Sequence, residues 1–119
     1  MTTVDDCLFC NIVAGSIPSD TVYEDDAVIA FRDIAPQAPT HVLVVPRRHI
    51  VHAGVVAPDE GEIVAAMIQG AQKVAALEGI DDPERGFRLV MNVGPDALNS
   101  VPHLHLHVIG GRSMTWPPG

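Results

Sequence analysis

The sequence predicts an α+β domain of about five strands in a mostly antiparallel sheet, carried by two helices. Three observations point to this class. The periodic segments run in the order helix, three strands, helix, two strands. The strand-like runs are short, rich in Val, Ile and Leu, and bounded by Gly, Pro, Asp or Ser. The chain has 119 residues, 47 % of them hydrophobic, which suits one core and leaves no room for a second domain. With aromatics at 4 %, that core must rest on aliphatic side chains. The expected arrangement has both helices on one side of the sheet. Such an open sheet leaves exposed edges, which makes a homodimer plausible.

Each element has its own signal. Asp5 and Asp6 ahead of Cys7–Ala14, with Gly15 after, read as a short helix whose apolar face would hold Leu8, Phe9 and Ile12. Thr21–Glu24 and Ala27–Arg32 flank Asp25-Asp26 as a hairpin. Ile34–Thr40, with its two prolines, is a loop, and His41–Val45 is a buried strand ended by Pro46. Pro58–Glu78 is the main helix: Pro58 suits a first helical position, and Asp59, Glu60 and Glu62 favour its positive end. Ile63, Met67, Ala71, Val74 and Leu77 would form its apolar face, and Gly79 would stop it. Gly86–Asn92 reads as a strand with Phe87, Leu89 and Met91 on one face. Gly94–Pro102 reads as a loop and His103–Ile109 as the last strand, before Gly110-Gly111 and the tail to Gly119.

Composition excludes several functions. Seven Lys+Arg against 15 Asp+Glu give a net charge of −8, the wrong sign for coating nucleic acid or docking on anionic membrane. No apolar run approaches the ~18 residues of a spanning helix, and Met1–Asp6 has no leader character. The only cysteines, Cys7 and Cys10, are too close to staple a secreted domain. The expectation is a cytoplasmic protein with reduced thiols. A lone C-x-x-C is open to three readings: redox pair, half a zinc site, or coincidence.

His103-Leu104-His105-Leu106-His107-Val108 is the most informative stretch. Strand alternation would line His103, His105 and His107 on one face and put Leu104, Leu106 and Val108 in the core. Three imidazoles so placed gain nothing for packing. They suit a metal site, or nucleophilic and acid–base work on phosphate. The preceding loop, Asn92–Ser100, offers amide and hydroxyl groups that can wrap phosphate oxygens without cations.

His-Leu-His-Leu-His-Val-Ile resembles the histidine triad motif of the HIT superfamily. Tyr23–Asp26, Ala30–Ile34, Pro36–His41, Pro46–Ile50, Asn92–Gly94 and Trp116–Gly119 resemble its Hint branch, the nucleoside phosphoramidases. The similarity runs from about Cys7 to the C-terminus. It implies a single HIT domain over 1–119, with sheets joined across a homodimer and the tail, about 111–119, near the partner's active site.

The resemblance implies a role for each matching residue. His105 is the nucleophile that attacks the α-phosphorus of a purine nucleoside 5′-phosphoramidate, an AMP or GMP derivative. Water then resolves the nucleotidyl-histidine. His107 bonds the phosphate, His41 orients the triad, and His103 completes it. Asn92, Asn99 and Ser100 contact phosphate or leaving group, and Ser100 relays a proton. Asp33 takes the ribose hydroxyls. Phe31, Ile34, Leu8, Phe9, Ile12 and Ile17 form the base pocket, and Trp116 reaches a neighbouring one. Cys7, Cys10, His49 and His103 hold a structural zinc, and no organic cofactor is needed. Leu98-Asn99 departs from the Gly-Gln usual in the family. A dinucleoside polyphosphate hydrolase or nucleotidyltransferase would use the same nucleophile, and a nucleotide-binding regulatory scaffold would use none.

Overall fold

The computed structural model describes residues 6–119. Its elements are α1 (Leu8–Val13), β1 (Thr21–Glu24), β2 (Val28–Arg32), β3 (Thr40–Pro46), α2 (Gly61–Glu78), β4 (Phe87–Val90) and β5 (Leu106–Gly110). The strands form one sheet in the order β1-β2-β3-β5-β4, every pairing antiparallel. Three single 3₁₀ turns, Ala53–Val55, Pro58–Glu60 and Pro95–Ala97, lie in the connections.

The helices lie on opposite faces of the sheet, not on one side as the element order suggests. Alternation along β2 and β3 explains why both faces can be covered. Val28, Ala30, Val42 and Val44, with Leu106 and Val108 of β5, pack under α2 through Met67, Ala71, Val74 and Ala75. The intervening Ile29, Phe31, Leu43 and Val45 pack instead with Phe9, Cys10 and Ile12 of α1. β3 is therefore buried throughout, and β2 is buried up to Arg32. Helix α2 comes close because Gly70 stands where a Cβ would meet Val28 Cγ2 at 3.0 Å. Gly79, at φ +71°, closes the helix by donating its N–H to the carbonyls of Ala75 and Ala76.

Local readings need four corrections. The first turn of the main helix, Pro58–Glu60, is 3₁₀, and the α-helix begins at Gly61. Leu77 is 62 % exposed, and Gly70 and Ala75 complete the buried stripe instead. Helix α1 starts not on an acidic cap but on sulfur: Cys7 Sγ accepts the N–H of Cys10 at 3.3 Å. Asp5 lies outside the described residues, and Leu8 points outward. Finally, β5 begins at Leu106, three residues after His103. Its ladder with β3 ends at Val44 opposite Leu106, two residues before Pro46 closes β3. The chain before Leu106 bonds elsewhere, Leu104 N–H to the Ile50 carbonyl at 2.6 Å.

The edge strand β4 leaves Leu89 exposed. The tail lies beside it: Arg88 donates to the Thr115 carbonyl at 2.7 Å and stands 5.9 Å over the Trp116 ring. Among the described residues no helix is long and apolar enough to cross a membrane.

Candidate active site and metal centre

Leaving the ladder at Leu106 frees His103 to turn into the protein, where it is fully buried. Its Nε2 lies 2.9 Å from the Pro46 carbonyl, which can only accept, so Nε2 carries the proton. The lone pair is then on Nδ1. That atom faces Cys7 Sγ at 3.4 Å and Cys10 Sγ at 3.5 Å, and His49 Nδ1 lies 3.3 Å from Cys10 Sγ. A tetrahedral zinc with Zn–S near 2.3 Å and Zn–N near 2.0 Å has S···N edges of about 3.5 Å. The four donors, all within 4.8 Å of one another, therefore fit a Cys₂His₂ zinc site. Cys7 and Cys10 come from the first turn of α1, His49 follows β3, and His103 precedes β5. One ion held there ties α1 to two strands of the sheet.

The same backbone aims the next histidine. His105 Nδ1 lies 2.7 Å from the carbonyl of His103, so Nδ1–H donates and Nε2 keeps its lone pair. Phe9 packs edge-on against both rings, at 5.2 Å from His105 and 5.9 Å from His103. His105 and His107 are neighbours, with ring centroids 5.1 Å apart.

A second chain of bonds fixes His107. The Gln37 N–H donates to His41 Nδ1 at 3.0 Å, so His41 is protonated on Nε2. That Nε2–H donates to His107 Nδ1 at 2.8 Å, with Asp33 Oδ2 also near it at 3.5 Å. His107 in its neutral form then carries its proton on Nε2, 3.5 Å from the Asn92 amide nitrogen. Two donors cannot bond each other, but they can converge on one anionic oxygen. Burial pushes the His107 pKa down to about 4, aided by the like charges of His105 and His41 and opposed by Asp33. Burial also lowers His103 to about 4, aided by His49 and His105 and opposed by its bond to Pro46.

A cavity of about 880 Å³ opens beside these rings, lined by His105, His107, Asn92, Ser100, Asp33, Phe31, Ile34, Leu8, Phe9, Ile12 and Ile17, with Leu43, Val101, Arg32, Asp20 and Leu98 among others. Its floor is a row across the sheet. His107 stands opposite Leu43 in the register, and Leu43 opposite Phe31. Two strand spacings make that row roughly 10 Å long. A small molecule lying along it would have an anionic end at the histidines and an apolar middle over Leu43 and Phe31. Arg32 at the far end is already engaged, bidentate to Glu78 at 2.7 and 2.9 Å, which raises its pKa and lowers that of Glu78.

Several site residues are placed differently from the sequence reading. Ile34 lines the rim but is fully exposed. Asp33 is partly structural, since its Oδ1 accepts the Ala35 N–H at 2.8 Å. Asn99 and Trp116 are not part of the cavity wall; the Asn99 Oδ1 is buried without a hydrogen-bond partner, and Trp116 sits on the β4 edge. His41 and His103 act from behind the wall. His52 caps the Ala53–Val55 turn, its Nδ1 accepting the Gly54 N–H. The His41–Asp33 contact escaped sequence reasoning, because nothing in the spacing pairs a loop acid with a strand histidine.

The chain resembles known proteins over nearly its whole length. Residues 14–114 match the model of the HIT domain. A Brassica juncea protein named a 14 kDa zinc-binding protein is 46 % identical over 116 residues, covering 96 % of this chain and all of that one. A HIT family hydrolase from Legionella pneumophila superposes with a TM-score of 0.91 at 48 % identity, over 96 % of this chain and all of that one. A histidine triad protein from Clostridium difficile does so at 0.90 and 40 %, over 96 % and 97 %.

The depressed pKa of His107 sets a pH window. The unfolded imidazole takes its proton near 6.5 and the folded one only near 4, so the unfolded state binds more protons between those values. This contribution to stability is complete above pH 6.5 and is lost as pH falls toward 4. His107 should stay neutral at pH 5 in an imidazole NMR titration, while the denaturant midpoint declines across the window. A His107 midpoint at or above 6 would contradict the assignment.

Proposed function

The chain belongs to the HIT domain family, and on that premise we propose that it is a zinc-containing, Hint-type hydrolase of purine nucleoside 5′-phosphoramidates. The observation that carries the reading is the His105 bond to the His103 carbonyl, 2.7 Å long, which leaves Nε2 as a bare nucleophile on the cavity side. The donors of His107 and Asn92 lie beside it, where a phosphoryl oxygen needs them.

In this reading Nε2 attacks the α-phosphorus as the P–N bond breaks, and the amine departs with a proton relayed from solvent through the Ser100 hydroxyl, which ends protonated as it began. The product is a nucleotidyl-imidazolium whose Nδ1–H remains bonded to the His103 carbonyl, so backbone stabilises the new positive charge. Water then adds to phosphorus and Nε2 leaves. The sum is phosphoramidate plus water giving nucleoside monophosphate plus amine. Neutral donors and a lone pair do this work, which is why an acidic chain suits a single small nucleotide and not nucleic acid.

Asp33 binds the ribose, and the apolar walls around Phe9, Ile12, Ile17 and Phe31 hold the base. The molecule is a single domain over 1–119 and works as a homodimer, with the exposed β4 edge as the natural place for joining sheets and the tail from about 111, with Trp116, beside the second copy's cavity. A zinc held through two reduced, buried thiolates suits the cytoplasm.

Zinc is structural here, bound by Cys7, Cys10, His49 and His103. Cys7→Ser should bring metal content well below one ion per chain and lower Tm by several degrees or more. Full zinc in that variant would refute the assignment. The reaction is tested by incubating the protein with an adenosine phosphoramidate and reading His105 by mass spectrometry for an added AMP. The adduct should disappear in His105→Ala, with turnover down by about a thousandfold or more. Faster cleavage of a diadenosine polyphosphate would favour the dinucleotide hydrolase, and AMP binding without any cleavage would favour a regulatory scaffold.

A further inference from the structure

Leu98 is anomalous in two independent ways. Of the non-glycine residues described, it alone has positive φ, +60° with ψ +34°. It ends the Pro95–Ala97 turn, its N–H bonded to the Pro95 carbonyl, a left-handed position that ordinarily takes Gly or Asn. Any side chain with a Cβ costs free energy there, and a γ-branched one has no local hydrogen bond to offset it. The fold gives no return for that cost: the Leu98 side chain is 85 % exposed and belongs to neither core cluster. It does line the cavity, two residues before Ser100 on the loop that leaves Asn92. Strain held at a site without a packing reason points to a role in the site.

We propose that Leu98 is a specificity-determining residue, an apolar wall for the leaving group that favours phosphoramidates of hydrophobic amines. This rests on the hydrolase reading above and adds the class of amine. The nucleoside lies from His107 toward Phe31, along the row of the sheet. In-line displacement sends the amine away from His105 Nε2, off that row and toward the loop that carries Ser100. Of that loop's two apolar groups on the cavity wall, Val101 is half-buried, whereas Leu98 stands in water until something apolar covers it. A bound aryl or alkyl amine would cover it, whereas ammonia would not reach it.

The test compares kcat/KM for adenosine 5′-phosphoramidates of ammonia and of 2-phenylethylamine, in wild type, Leu98→Ala and Leu98→Asn. This quantity reports the nucleotidylation step, and comparing variants cancels the intrinsic reactivity of each amine. Both substitutions should lower kcat/KM for the phenylethyl substrate by about tenfold, as expected for losing one apolar contact, and leave the ammonia substrate within about twofold. Leu98→Asn, which tolerates the left-handed turn, should show an unchanged or raised Tm. Equal loss on both substrates with a lowered Tm would mean a structural role and overturn the proposal. A shift of oligomeric state in sedimentation would assign the side chain to a second copy and overturn it too. Wild type that cleaves both substrates, with a ratio the variants do not change, overturns this inference alone. Wild type that cleaves neither removes the hydrolase reading and this inference with it.

Discussion

His103 is held at every polar atom its side chain offers, and most of the site hangs from it. Its Nε2–H is fixed by the Pro46 carbonyl, its Nδ1 faces two thiols, and its own carbonyl takes the Nδ1–H of His105. The ring is fully buried, so breaking any of these bonds leaves an orphaned polar group. A single residue therefore converts the end of a β-ladder into a fixed orientation for the neighbouring imidazole. The proposed zinc adds to this by anchoring α1, whose Phe9 packs on both rings.

The sheet separates stability from chemistry by face. On one side α2 covers a layer built from Val, Leu, Ile, Ala and Met side chains. On the other, α1 is only six residues long and leaves the rest of the face open as the cavity. A short helix cannot anchor itself by apolar area alone, which gives the cysteine and histidine cluster a mechanical reason to exist. The floor between, Leu43 and Phe31, serves both as core and as cavity wall.

Much of this was legible in the sequence, because period and punctuation are local. Five strands and two helices occur in the order that alternation and helical spacing predict, and Gly79 stops α2 as expected. What was not legible depends on tertiary choice. Periodicity shows that a helix has an apolar face but not which side of the sheet it covers, so α1 was expected beside α2. Strict alternation makes His103 a strand residue, although the ladder with β3 stops at Val44 opposite Leu106. The metal donors are 39 to 96 residues apart in pairs such as Cys10–His49 and Cys7–His103, and only the family resemblance joined them. At the strained turn the residue type is silent, a leucine where a Gly would announce it, and only the departure from the family's Gly-Gln at Leu98-Asn99 marks the place.

The central claim is that backbone geometry selects the His105 tautomer. It is tested most directly by ¹⁵N NMR of the His105 imidazole in the zinc-loaded protein near neutral pH. The account predicts a protonated Nδ1 and a bare Nε2 as the dominant form. A dominant Nε2–H tautomer, with the lone pair on Nδ1, would contradict it.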